Sequence, residues 1–180
     1  MEQTDPTNAM VISNLGVGYA QMKNYPEAIK AFKRAIELDP NHSGAYSNVG
    51  YSYERIANYD SAKQFYRLAV RKDPRKSIYY ENLVTLLLAR KEYAAAESIL
   101  AEGTAMLQSN KDLLYMFGLT YSLWGKKDEA QQKFRNGLLL VQRNLQEQDD
   151  PPSNYALAAL FHARLGNTKQ AIHAATEAIK

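Results

Sequence analysis

The sequence predicts an all-α fold, an α-solenoid of stacked antiparallel helix hairpins. Three observations predict it. The chain resembles itself when shifted by 34 residues. Inside each copy, apolar residues fall at helical spacing in two short runs. Between the runs stand Gly, Pro, Asn and Asp, the residues that stop helices and make turns.

The stretch Ser43 to Lys76 shows one copy most clearly. Tyr46, Val49, Gly50 and Tyr53 form a first stripe, Asn58-Tyr59-Asp60 break it, Ala62, Tyr66 and Ala69 form a second, and Asp73-Pro74 end it. Upstream, Leu15-Gly16, Tyr19, Tyr25, Ala28, Phe32, Ala35 and Pro40 fill the same columns. Downstream come Tyr80, Leu83, Leu87, Tyr93, Ala96, Leu100 and Gly103, then Leu114, Phe117-Gly118, Tyr121, Ala130, Phe134 and Gly137. After about seven extra residues a fifth copy follows with Tyr155, Ala158-Ala159, His162, Gly166, Ala171, Ala175 and Ala178. Helices are expected at 9–22 and 26–39, 43–56 and 60–72, 77–90 and 94–108, 111–124 and 128–147, and 153–165 and 169–180.

A 34-residue period carrying a bulky residue, Leu-Gly, Tyr, Ala-x3-Phe and a closing Pro resembles the tetratricopeptide repeat. The likeness covers nearly the whole chain, as one domain of five repeats at 9–42, 43–76, 77–110, 111–144 and 152–180. It is strongest in the first two copies; the third has Val84 at the glycine column and Gln108 in place of the proline. The resemblance implies a right-handed superhelix whose first helices line a concave face.

The columns have physical reasons. Gly16, Gly50 and Gly118 are expected to face Ala28, Ala62 and Ala130, letting the helices of a hairpin approach closely. Tyr19, Tyr53 and Tyr121 are expected to wedge against the next hairpin. Gly125 and Gly166 suit a left-handed residue at the end of a first helix. Pro26 fits a first helical turn, and Asp39-Pro40 and Asp73-Pro74 end second helices.

Residues 1–8 read as the tail of a preceding repeat, or as the start of an excised piece with Met1 introduced by cloning. The last residues, Ala178-Ile179-Lys180, stop short of a closing proline, so the chain is expected to be part of a longer protein. The insert at 145–151 lengthens the second helix of the fourth repeat, whose run Leu138-Leu139-Leu140-Val141 with Leu145 is apolar over a wide arc. That arc either packs against the fifth repeat or forms a contact surface.

Composition narrows the function. With 46 % apolar residues in 180, the chain can bury a core. It has no cysteine, hence no disulfide, thiolate ligand or thiol nucleophile. Its net charge of +3 is dispersed, and the basic cluster Arg71-Lys72, Arg75-Lys76 is interrupted by Asp73-Pro74, as in a solvated turn; no nucleic-acid partner is expected. No apolar run reaches the roughly 18 residues of a membrane span, and the N-terminal residues do not form a signal peptide, so no membrane partner and a cytoplasmic location are expected. His42 stands in a turn and His162 in the tyrosine column, where a packed histidine is the simpler reading; with His173 they show no metal-ligand spacing. Glycines occur singly, so no phosphate-binding loop is visible. No enzyme activity, cofactor or metal is expected.

The helical period leaves Ser13, Asn14, Val17 and Gln21 on the groove side, then Ser47, Asn48, Tyr51 and Arg55, then Glu81, Asn82, Thr85 and Ala89. The fourth repeat contributes Tyr115, Met116, Leu119 and Leu123, and the fifth Ala156, Leu157, Leu160 and Arg164. Asn14, Asn48 and Asn82 share one column. An amide both donates and accepts, so a row of three matches a peptide backbone, and the pattern resembles the asparagine ladder of O-linked N-acetylglucosamine transferase. Alternatively these amides brace the neighbouring helix. Tyr51, Arg55, Tyr115, Met116 and Leu119 are the candidates for side-chain recognition. The apolar end of the groove suits a ligand's anchor, a helix from a flanking segment or another copy.

The carboxylate clamp that some family members use for acidic chaperone tails is not matched. It implies Lys and Asn where Ser13 and Val17 stand and Lys and Arg where Ile78 and Asn82 stand; only Asn48 fits, and shifting by one repeat is no better. The expected function is therefore a non-enzymatic scaffold holding a protein or peptide segment in its groove. Alternatives are a self-assembling module, a homo-oligomer through the apolar fourth and fifth repeats, or the regulatory arm of a larger enzyme or transcription factor.

Overall fold

A computed structural model describes residues 6–147 and 149–179. Among the described residues there are ten helices and no strand: α1 (Pro6–Gln21), α2 (Tyr25–Leu38), α3 (Ser43–Arg55), α4 (Tyr59–Lys72), α5 (Ser77–Ala89), α6 (Tyr93–Met106), α7 (Lys111–Trp124), α8 (Lys127–Gln146), α9 (Pro151–Arg164) and α10 (Thr168–Glu177). Their ends differ from the sequence expectation by at most three residues. The predicted tail at 1–8 lies partly outside the described residues; from Pro6 onward it is the first turn of α1.

The helices divide into two compact units, one ending at Arg90 with α1–α5 and one beginning at Lys91 with α6–α10. In the first unit α1 pairs with α2 and α3 with α4, while α2 packs on α3 and α4 on α5. In the second α7 pairs with α8 and α9 with α10, with α6 against α7 and α8 against α9. The helices of these four hairpins thus bury a stripe against their partners, and α2, α3, α4, α7, α8 and α9 bury another against a neighbouring helix of the same unit, the arrangement a repeat needs to hide two apolar faces.

In α2 the buried stripe is Ala28, Ile29, Phe32 and Ala35. It meets Val49 of α3, with Tyr19, Tyr53 and Phe65 packed around the cluster. The glycine column works differently from the expectation that small faces small. Gly16 lies under the ring of Phe32: a Cβ there would stand 2.7 Å from Cε1. Gly50 lies under Tyr66 at the same distance, and Gly118 under Phe134. The glycine makes room for the aromatic of the Ala-x3-Phe motif, and the buried alanine completes the helix contact.

The tyrosine column also departs from expectation in part. Tyr19 packs on the cluster that contains Val49 of the next hairpin, as expected, but Tyr53 and Tyr121 each engage a helix that precedes their own. Tyr53 accepts a hydrogen bond from Lys33 Nζ of α2 at 2.9 Å, and Tyr121 donates to Glu97 of α6 at 2.5 Å. Burial together with Glu97 pushes the Tyr121 phenol up to about 12.

The turns share one device. Within two residues of the end of each first helix one residue is left-handed: Lys23, Ala57 and Lys91 at φ near 60°, Gly125 at 85° and Gly166 at 79°. The following N–H reaches back over the turn, as in Asn24 to the Tyr19 carbonyl and Asn58 to the Tyr53 carbonyl, both at 2.9 Å. This closes the helix end with the pair of bonds of a Schellman motif. Second helices are started by Asn58, whose side chain accepts from the Ser61 N–H, and ended at Asp39 and Asp73, whose carboxylates accept from the N–H of Asn41 and Arg75.

α8 is 20 residues long and buries Ala130, Phe134, Gly137, Leu138 and Val141. The Phe161 ring of α9 sits on Gly137, so most of the wide apolar arc is packing against the fifth hairpin; Leu139 alone of the leucine run stays largely exposed, at 65 %. The α8–α9 turn is held by Asn154, which is fully buried. Its amide donates to the Asp149 and Asp150 carbonyls and its oxygen accepts from Lys111 Nζ at 2.7 Å.

Candidate functional site

Within the first unit, α1 and α3 lie side by side and α2 closes the space behind them. A pocket of about 210 Å³ opens there, lined by Val17, Ala20 and Gln21 of α1, Asn48 and Tyr51 of α3, and Phe32 of α2 as its floor. Phe32, whose ring covers Gly16, borders the pocket while remaining almost wholly buried. Tyr51 is 46 % exposed and Val17 37 % exposed, so both present apolar surface to solvent.

Tyr51 is held from the side. The Tyr25 ring meets it edge-on, with centroids 6.4 Å apart and planes at 74°. Arg55 lies over Tyr25, its guanidinium 6.0 Å from the ring centre and its Nε donating to the phenol oxygen at 3.3 Å. The hydrogen bond to Tyr25 raises the Arg55 pKa further above its ordinary value. Tyr25 was not among the sequence candidates. Its place at the start of a second helix hid it, since only first helices were expected to line a groove.

The asparagine column divides. Asn14 is exposed and Asn48 lines the pocket. Asn82 donates from Nδ2 to Ser47 Oγ at 3.1 Å, joining α5 to α3. Bracing of the neighbouring helix is therefore present at Asn82. Ser13 and Ser47, expected on the groove side, are buried at 5 % and 7 % exposure, while Leu15, expected inside, is half exposed. In α1 the inward stripe runs through Ala9, Ser13 and Gly16. Helical spacing permits that stripe equally well, and serine is small enough to pack there.

In the second unit Tyr115, Met116 and Leu119 are half-buried on α7. Tyr115 is wedged against Phe134 and Phe161, with ring centres 5.8 and 5.6 Å away. Its phenol accepts a hydrogen bond from Arg164 Nε at 3.2 Å. Leu157 is buried, while Leu123 and Leu160 remain exposed. A second pocket, about 390 Å³, lies beside them, lined by Ser122, Lys127, Ala130, Gln131, Phe134, Ala163 and Arg164. Phe134 and Ser122 occupy the repeat positions that Phe32 and Ala20 hold in the first pocket, and Arg164 the position of Arg55.

His162 reaches Asn167 at 3.4 Å and burial holds its pKa below the ordinary value; His173 is exposed. Among the described residues no cluster of His, Cys, Asp and Glu could hold a metal ion, and no helix is long and apolar enough to cross a membrane.

Two models described as Tetratricopeptide repeat match residues 9–42 and 31–64. Residues 9–64 thus carry the sequence pattern of the tetratricopeptide repeat family. Solved structures similar to it include PilF of Pseudomonas aeruginosa, with 22 % identity over 97 % of this chain and 77 % of that one and a TM-score of 0.66. MamA has 20 % identity over 95 % of this chain and 90 % of its own, with a TM-score of 0.61. YrrB, described as a TPR protein with an unusual peptide-binding site, has 21 % identity over 95 % of this chain and 84 % of its own, with a TM-score of 0.58. At these identities the likeness is one of fold. A comparison with curated proteins finds no match. The tetratricopeptide fold is in general a non-catalytic scaffold for protein–protein contacts, and this chain is consistent with that use.

Proposed function

We propose that this tetratricopeptide chain binds an extended segment of a protein partner across α1, α3 and α5. The observation that carries this is the pocket between α1 and α3, where an apolar floor and walls (Phe32, Val17, Tyr51) stand beside two amides (Gln21, Asn48). A pocket of that make-up takes an apolar side chain while the amides meet the adjoining peptide bond. Asn14 and Asn48 offer free amides to the backbone. Asn82 offers its oxygen, one of its N–H groups being engaged by Ser47. Tyr51 supplies apolar contact, and Arg55, anchored on Tyr25, forms the charged rim. Tyr115, Met116 and Leu119 offer partly apolar contact along α7 in the second unit. Each amide bond adds about 0.5–1.5 kcal/mol, so affinity rests mainly on the side-chain pocket. Panning a peptide display library against the chain and titrating the enriched peptides tests this. Asn14→Ala with Asn48→Ala should weaken the enriched peptides severalfold without changing thermal unfolding; unchanged affinity would remove the asparagines from the site.

A second reading, self-association, is favoured by the exposed Leu123, Leu139 and Leu160 of the second unit. Light scattering over a hundredfold concentration range decides it: a constant monomer mass rejects it.

A further inference from the structure

The two pockets share two repeat positions, those of Phe32 with Phe134 and Ala20 with Ser122, but differ in the rest of their lining and in chemistry. The first is lined by apolar groups and neutral amides. The second is lined by Phe134 together with two cationic residues, Lys127 and Arg164, and two polar ones, Ser122 and Gln131. None of its lining residues is acidic. Asp128 and Glu129 are neighbours of Lys127 in sequence but lie around the helix from the stripe Lys127, Ala130, Gln131 and Phe134 that forms the wall. Both are exposed.

The arginine is positioned before any ligand arrives. Its Nε is fixed by the Tyr115 phenol, its charge lies 5.9 Å from that ring's centre, and its carbonyl accepts from Gln131 Nε2 at 3.3 Å. With Nε held, the terminal nitrogens keep the planar donor pair that matches a carboxylate. A lysine charge on the opposite helix completes a two-cation site beside a hydroxyl and an amide donor. The cavity, about 390 Å³, is many times the roughly 30 Å³ that one water occupies. A carboxylate can enter it with part of its hydration shell, which keeps the desolvation cost low.

We propose that the α7–α9 pocket is a binding site for a carboxylate side chain of an acidic peptide segment, clamped between Lys127 and Arg164. The site uses neither the asparagine column nor the first-unit pocket. It also lies at repeat positions other than those of the carboxylate clamp that the sequence fails to match.

Fluorescence anisotropy with a fluorescein-labelled hexaglutamate peptide tests it, with labelled hexaglutamine as the neutral probe. Hexaglutamate should bind at least tenfold tighter than hexaglutamine in low salt, and the difference should shrink as salt rises. Lys127→Gln and Arg164→Gln should each weaken hexaglutamate binding at least threefold. The exposed α2 pair Lys30→Gln, Arg34→Gln removes two positive charges, twice what either pocket variant removes, and should still change it less than twofold. Lys127 makes no contact on which the fold depends, so its variant carries the test even if Arg164→Gln disturbs α9. Equal binding of the two peptides, or equal loss in the α2 and pocket variants, would show only the attraction of a net positive surface and overturn the assignment.

Discussion

The side-chain amide of Asn82 donates to the hydroxyl of Ser47 across 3.1 Å, tying α5 to α3. The same residue type at Asn48 faces a pocket instead. One column of the repeat thus serves the fold in one hairpin and is available to a ligand in another. Asn82→Ala should lower the stability of the first unit by about 1 kcal/mol, with Asn48→Ala close to neutral. Urea unfolding midpoints of the two variants measure this directly.

Gly50 under Tyr66 admits no side chain. A Cβ at 2.7 Å from Tyr66 Cδ1 forces the ring or the helix to move. The ring is also held at its far end, where the phenol donates to Glu54 at 2.8 Å. Gly50→Ala should destabilise by about 1–3 kcal/mol, the range of overpacked cores. Pairing it with Tyr66→Leu should recover part of the loss, because the leucine frees the space above the new methyl.

Ala57 and Lys23 hold left-handed backbone at positions where Gly125 and Gly166 do so freely. An L-residue there costs about 1–2 kcal/mol relative to the right-handed form. Both side chains are exposed, so little packing is lost on their removal. Ala57→Gly and Lys23→Gly should each raise the melting temperature, whereas Gly125→Ala should lower it.

Tyr121 is a titration device at high pH. Its folded pKa, about 12, lies above the ordinary tyrosine value because of burial and the Glu97 carboxylate. Tyr66 is raised in the same direction by burial and by Glu54. A raised pKa favours the neutral phenol in the fold, so this stability is complete below about pH 10 and is lost as pH climbs from there through the folded pKa. Denaturation at pH 9 and 11 should show a falling midpoint for the natural chain. Tyr121→Phe should be less stable at pH 9 and show a shallower fall.

The hairpins were legible because a 34-residue period repeats both the apolar stripes and the turn residues. The left-handed turns were legible only at Gly125 and Gly166, where glycine announces them. At Lys23, Ala57 and Lys91 residues other than glycine adopt the same conformation, so no residue type marks the turn. Of the residues expected on the groove face, Asn14 is exposed and Asn48 and Tyr51 line the first-unit pocket. Ser13 and Ser47 are buried instead, because two adjacent stripes satisfy the same helical period and only the partner helix chooses between them. The engagement of Arg55 by Tyr25 and of Arg164 by Tyr115 joins residues of different hairpins. No spacing within one helix could reveal either pair.

Chemical-shift mapping with a peptide enriched by display tests the central claim most directly. The predicted result is that the largest shifts fall on the side chains of Asn48 and Gln21 and on the backbone of Val17 and Tyr51, and that Tyr51→Ala weakens binding at least tenfold while the helical circular dichroism is unchanged. Shifts confined to the outer faces of α2 and α4, with Tyr51→Ala binding as tightly as the natural chain, would contradict it.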